Sequence, residues 1–429
     1  MIGPTPVKEP SLSPAATTSP DAEGALHAPP APPVHPPLPW RAIVLQASGM
    51  WLATRLVFII FTYVAVVFNT QGFDPAAMGL GGSFPPDVAL NHWNRWDTGW
   101  YINIATTGYE PDAVRTAFFP LYPLLISTFS LAGDHTLQLL VALLISNLGT
   151  LAAFIALGLI TAHESGPATS PFAICALAAY PFAFFLAAAY PDSLFLGLAI
   201  FSIFFARRGL WYWAATCAFV AALTRPTGII LVLPLLWEFA HQHGWLTRRW
   251  SEKLRLDIIA KCILVVGAVP AAVGLYALYL WDLFGNPLVF LNVQAFWRHT
   301  FVPPWELPAM AIYAIMKEPA WSFNQLRVIV DVLPIVVFVL LTIALARRMP
   351  VTYTLYMVGA LYVTLASPLV TYFDPFASAP RYLLVAFPAF LLVGQWMMRH
   401  QWLNIAVTSG GFMLQAIFAG FFLMGGWIV

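Results

Sequence analysis

Charge is scarce in this sequence. Only 9% of its 429 residues are Asp, Glu, Lys or Arg, against 60% hydrophobic, and that balance excludes a soluble globule. The net charge of +1 argues against nucleic acid as a partner. Cysteine is scarce too. Cys175, Cys217 and Cys262 all fall inside apolar runs without metal-ligand spacing, so they read as packing residues with no disulfide role. There is no GxxxxGK[ST] loop, no HExxH helix and no Cys/His cluster, which leaves soluble nucleotide hydrolysis and zinc chemistry without support.

What is present is apolar length. Runs long enough to cross a hydrocarbon core of ~30 Å recur near 46–68, 137–161, 171–188, 193–206, 210–224, 227–240, 258–283, 326–346, 351–372, 381–398 and 402–425. The fold expected is an all-α, polytopic membrane bundle of about eleven transmembrane helices. Residues 1–39 are different: 12 of the 36 prolines lie there among Ala, Ser and Thr, a composition that builds neither helix nor core. They read as a disordered cytoplasmic tail without the plan of a cleaved signal peptide, and 40–429 as the membrane domain.

Basic residues orient the bundle. Arg207–Arg208, Arg248–Arg249 with Lys253 and Arg255, Arg347–Arg348 and Arg399 all fall on one side if Phe118–Ala132, which Pro120 and Pro123 interrupt, lies flat. That side is then cytoplasmic, with the N-terminus. The outer face is left with a first loop of 69–136 and a second of 284–325. Arg95, Arg115, Arg225, Arg298, Lys317, Arg327 and Arg381 stay outside, against the usual bias.

The first loop holds RWDTGWYINIATTGY at Arg95–Tyr109, with one acid, Asp97, among Trp93, Trp96, Trp100 and Tyr101. The tryptophans recur at three and four residues, which predicts one face of an interfacial helix with Asp97 beside it and Asn94, Thr98 and Asn103 pointing away. An aromatic anchor needs the rings and has no need of the acid, so Asp97 is the candidate catalytic group. Trp96, Trp100 and Tyr101 are candidate contacts to substrate or interface. At Tyr190–Ser193 (YPDS), Asp192 reads either as the cap of a helix starting at Ser193 or, with Tyr190, as a further polar contact to substrate. Arg225 in TRPTG and Arg381 in SAPRY stand at outer helix ends. They either snorkel to headgroups or hold a lipid phosphate, for which a guanidinium fork is suited.

RWDTGWYINIATTGY followed by AFFPLYPLL resembles the first-loop signature of the PIG-V family, the GPI mannosyltransferase II family with its prokaryotic relatives. The similarity continues through YPFAFFLAAAYPDSLFLGLAIFSIFFARRG and AALTRPTGIILVLPLL to APRYLLVAFPAFLL, roughly residues 46–398. That resemblance implies a GT-C glycosyltransferase with interfacial helices in the first outer loop. It also implies a polyprenyl- or dolichyl-phosphate sugar as donor, usually mannose, and a glycan or protein acceptor on the non-cytoplasmic face. Asp97 matches the position of the catalytic acid. Many GT-C enzymes place two acids together in this loop. Here Asp87 is ten residues upstream and Asp74 further away, so no paired motif supports a metal, and the use of a divalent ion stays open.

The reaction expected is an inverting sugar transfer. Asp97 is the general base, Arg225 and Arg381 bind the donor phosphate, and no metal ligand is assigned. A transporter or flippase of lipid-linked sugars is the alternative, and it predicts carboxylates deep within spans; Asp282 and Asp331 are expected near outer helix ends. The membrane would be the plasma membrane in a prokaryote and the endoplasmic reticulum in a eukaryote.

Overall fold

In a computed structural model the chain is described over Gly3 and residues 38–69, 86–110, 112–131, 133–246, 256–293, 302–303, 305–366, 368 and 374–426. The rest of the proline-rich tail, the basic cluster at 248–255, Asp74 and Arg298 lie outside the described residues. Among the described residues all regular structure is helical.

A long helix, α1 (Trp40–Asn69), opens the bundle and leads to α2 (Pro86–Asn91), α3 (Asp97–Thr107) and α4 (Leu121–Phe129). At nine residues, α4 spans about 14 Å and is too short to cross a bilayer. Next comes α5 (His135–Ser165), started by the Asp134 carboxylate, which accepts the Leu137 N–H at 2.8 Å, and ended by Gly166 in the left-handed region. Then follow α6 (Ser170–Ala178), α7 (Asp192–Arg207), α8 (Trp211–Thr224), α9 (Val232–Gln242) and α10 (Leu256–Phe284). Two short helices, α11 (Val289–Asn292) and α12 (Leu307–Lys317), precede α13 (Phe323–Ala346) and α14 (Val351–Leu365). The chain closes with α15 (Ala379–Leu383), α16 (Phe387–Arg399), α17 (Gln401–Ile405) and α18 (Gly411–Leu423), the last two joined through a π-helical turn.

Among the described residues five helices are long and apolar enough to cross a membrane: α1, α5, α10, α13 and the continuous Gln401–Leu423 segment. With the shorter apolar helices they make an integral, multi-pass membrane protein. Side chains such as Leu52, Ile59 and Ile60 on α1 are more than half exposed, as a lipid-facing surface requires. Other predicted spans are broken, and proline supplies the reason. The 171–188 stretch stops at Ala178, before Tyr180–Pro181, and resumes as a 3₁₀ turn; the 381–398 stretch divides ahead of Pro388.

The end of the bundle that carries residues 86–131 is here termed the loop end. At that end α7 begins well below α5. The Ser193 hydroxyl donates to the Ser146 carbonyl at 2.7 Å, and Ser146 is eleven residues along α5, about 16 Å from its start. Gly149 permits this approach, since a Cβ there would lie 2.8 Å from the Leu194 nitrogen. The first residue of α7 is thus recessed into the bundle.

The opposite end is tied by a buried polar network. Arg207 donates to Glu164 at 2.8 Å and to Glu238 at 3.0 Å, Tyr353 donates to Glu164 at 2.8 Å, and the Thr352 hydroxyl reaches Glu238. Four helices meet there: α5, α7, α9 and α14. Arg207, read from sequence as one of a pair of loop cations, is therefore spent on bundle-internal ion pairs, while Arg208 stacks over Phe204 at 5.7 Å.

Candidate functional site

The recessed end of α7 carries Asp192, whose side chain is fully buried. It caps no helix. Instead, its Oδ1 accepts from Arg225 Nη1, and its Oδ2 accepts from Arg381 Nη2 at 3.1 Å. Arg381 turns its other nitrogen, Nη1, to Asp97 Oδ2 at 2.6 Å. Asp97, Asp192, Arg225 and Arg381 thus form one chain of ion pairs, two negative and two positive.

Local sequence explains how each side chain arrives. Arg225 follows the last residue of α8 in extended conformation (φ −155°, ψ 148°), which Pro226 imposes on its predecessor. The turn then folds back on α8, and Gly228 lets it, because a Cβ there would sit 2.5 Å from Ala222 Cα. Arg381 rides on α15, entered through Ser378 in the left-handed region at φ 69°. The Tyr180 hydroxyl donates to the Pro380 carbonyl at 2.9 Å and anchors that short helix. Beneath Arg381 lies the Tyr190 ring, 4.2 Å from the guanidinium carbon, and the Tyr190 hydroxyl donates to the Arg95 carbonyl at 2.8 Å. Tyr190 is a buried support.

Asp97 is the first residue of α3, at the positive end of the helix, and its side chain remains 30% exposed. The expected tryptophan stripe is not formed. Trp96 sits at φ 49°, outside the helix, so only Trp100 of the three is helical. Trp93 buries against Phe58 and Phe422, and its indole N–H donates to Thr62 at 2.9 Å. Trp96 projects outward at 47% exposure, while Trp100 stacks on Phe118 with centroids 5.6 Å apart. Thr98, expected to point away, is fully buried, because the helix starts four residues later than the spacing implied and turns a different face inward. Asn103 is exposed as expected.

Above the ion pairs opens a cavity of about 380 Å³, lined by Asp97, Tyr101, Phe118, Arg225, Arg381 and Tyr382 among others. Phe290 and Leu291 of α11 close part of its wall, so the second long loop reaches the first. Burial, and after it the negative charge of Asp97, push the Tyr101 hydroxyl well above its ordinary range and keep it protonated. A second cavity, about 530 Å³ and mostly apolar, lies between α3–α4 and α8–α10, with Ile104, Leu121, Leu124, Leu223, Leu275 and Tyr276 in its walls. Leu223 lines this cavity and Thr224 the other, so their walls are adjacent in the chain.

The structure brings together Asp97, Tyr101, Tyr190, Asp192, Arg225 and Arg381; Trp96 and Trp100 are not part of the ion-pair chain. Tyr382 was not anticipated. It lies 5.6 Å and 5.9 Å from the Arg225 and Arg381 guanidinium carbons. Its neighbour in SAPRY was its only signal. Among the described residues no group of three or more His, Cys, Asp or Glu could hold a metal ion. Asp331, expected near a helix end, is fully buried eight residues beyond the start of α13, within hydrogen-bonding reach of the buried Asp374.

No family model matches the chain, and no curated protein does. Among solved structures it is similar to ArnT from Cupriavidus metallidurans bound to undecaprenyl phosphate. The two are 15% identical, with 79% of this chain and 77% of that chain covered and a TM-score of 0.30.

Proposed function

We propose that this chain is a GT-C-type membrane glycosyltransferase that moves a sugar, mannose by the motif resemblance, from a polyprenyl phosphate to an extracytoplasmic acceptor with inversion. One observation carries the reading: Asp97, the partly exposed acid of the first loop, lines a cavity together with two arginines to which it is linked through ion pairs.

The chemistry follows from those groups. An acceptor hydroxyl oxygen attacks the anomeric carbon from the face opposite the phosphate. The carbon–oxygen bond to phosphate breaks, and its electron pair leaves with the phosphate, so no general acid is needed. Asp97 takes the hydroxyl proton. Arg225 and Arg381 receive the growing phosphate charge. Since the four residues are already balanced in charge, an arriving phosphate competes with Asp97 for Arg381. Donor binding thereby loosens the ion pair between Arg381 and Asp97. The adjoining apolar cavity suits an isoprenoid chain whose phosphate lies near Arg225.

One observation favours a second reading, transport of a lipid-linked sugar: Asp331 is a carboxyl deep within a span. Mass analysis of lipids after incubation of the purified protein with polyprenyl-phosphate mannose and membrane extract separates the two. Transfer yields free polyprenyl phosphate and a mannosylated acceptor. A donor recovered chemically unchanged from a protein that moves it across vesicles would overturn the transferase.

A further inference from the structure

The first span contains a permanent cation, Arg55, with no counter-ion among the described residues. Arg55 lies seven residues before Thr62, the residue that Trp93 of the first loop contacts, and so about 10 Å deeper along the α1 axis. Arg41, near the other end of α1, is about 21 Å away. Arg55 is thus within the apolar layer, where an ionised group is costly unless paired. Hydropathy alone does not reveal it, because the stretches on both sides are mostly apolar.

Its surroundings are built. Nη1 donates to Asn147 Oδ1 at 2.7 Å. The Asn147 amide nitrogen is held by the Leu143 and Ala187 carbonyls at 2.7 Å and 3.3 Å, which fixes the oxygen toward Arg55. Trp51, whose indole N–H donates to the Asn147 carbonyl at 2.8 Å, and Phe58 present rings 5.9 Å and 5.4 Å from the guanidinium carbon. Among the described residues no carboxylate lies within ion-pair distance of Arg55. Nε is enclosed without a partner, and Nη2 makes no hydrogen bond within them. The Nε–Nη2 edge, which can grip two oxygens at once, is therefore unused.

The side chains flanking Arg55 show where an anion comes from. Leu52, Leu56 and Ile59 are 53%, 54% and 64% exposed on the lipid-facing side of α1, so the site opens sideways to the acyl phase. We infer that Arg55, held in place by Asn147 and Trp51, binds the phosphate of a membrane lipid of net negative charge between α1 and α5. A bulk anionic phospholipid and a polyprenyl phosphate share that chemistry. Either must be drawn below its neighbours to reach the guanidinium, so the bound lipid exchanges slowly and survives extraction.

The test uses the full-length protein in mild detergent, with bound lipids counted by native mass spectrometry. Stripped protein is then titrated with phosphatidylglycerol, undecaprenyl phosphate or phosphatidylcholine. Wild type should bind one copy of phosphatidylglycerol, or a second copy of undecaprenyl phosphate beyond that held at Arg225 and Arg381, at least tenfold more tightly than Arg55→Met, with Arg55→Lys between them. Phosphatidylcholine should bind all three alike. Dependence on phosphatidylglycerol alone identifies a phospholipid site, and on undecaprenyl phosphate alone a second site for that lipid; both support the inference. Asn147→Asp guards against misfolding of Arg55→Met, because it leaves Arg55 in place, supplies the counter-ion internally at the same side-chain size, and should lose the lipid as Arg55→Met does. Binding of both anionic lipids by Asn147→Asp and Arg55→Met at wild-type affinity overturns it.

Discussion

Arg381 donates to Asp97 across 2.6 Å, although 284 positions separate the two residues in the chain. The contact ties the first loop to α15, and it makes the state of the proposed base depend on what else the guanidinium holds.

Arg381→Lys tests that dependence. A lysine keeps the charge but presents a single ammonium in place of a fork that reaches Asp97 and Asp192 together. Sugar transfer should fall by roughly 10²-fold or more, measured as turnover of polyprenyl-phosphate mannose per folded protein.

Asp192 is proposed to hold the site rather than to act in it. Asp192→Ala leaves Arg225 and Arg381 buried, each short of a partner, which should cost about 3–5 kcal/mol. Thermal unfolding in detergent should show a large drop for Asp192→Ala. Glu164→Gln should also destabilise, yet leave turnover per folded molecule unchanged, since its network lies at the opposite end of the bundle.

Among the described residues no donor reaches Asp374 Oδ2, while Oδ1 accepts the Phe376 N–H at 3.0 Å. Asp331→Asn places an amide donor within reach of that orphan. The variant should unfold at the same temperature as wild type or higher, a gain of about 1 kcal/mol at most. Asp331→Leu should bring no such gain, since Asp374 then stays unsatisfied.

Sidedness is read most simply at an exposed position of α3. With Cys175, Cys217 and Cys262 replaced by alanine, a cysteine at Asn103 should react with an impermeant reagent in intact cells. One at Leu246, exposed near the opposite end, should react only after permeabilisation.

Much of the site was legible because charge is rare. Asp97, Arg225 and Arg381 stand out against apolar neighbours, and hydropathy located the segments that became helices. The partnership of Asp192 was not legible, since its ion pairs join residues 33 and 189 positions apart and a capping role explained the same local pattern. The tryptophan stripe failed for a backbone reason. Side-chain spacing assumes a helix already running at Trp93, and Trp96 in the left-handed region delays its start to Asp97. Arg55 was hidden by the averaging that makes hydropathy useful.

The central claim is that Asp97 takes a proton in sugar transfer, and Asp97→Asn tests it most directly. The asparagine keeps the shape and a hydrogen bond to Arg381 but cannot act as a base. In membranes supplied with radiolabelled polyprenyl-phosphate mannose, the account predicts transfer reduced by ~10²–10⁴-fold with expression and donor binding retained. Transfer at the wild-type rate would contradict it.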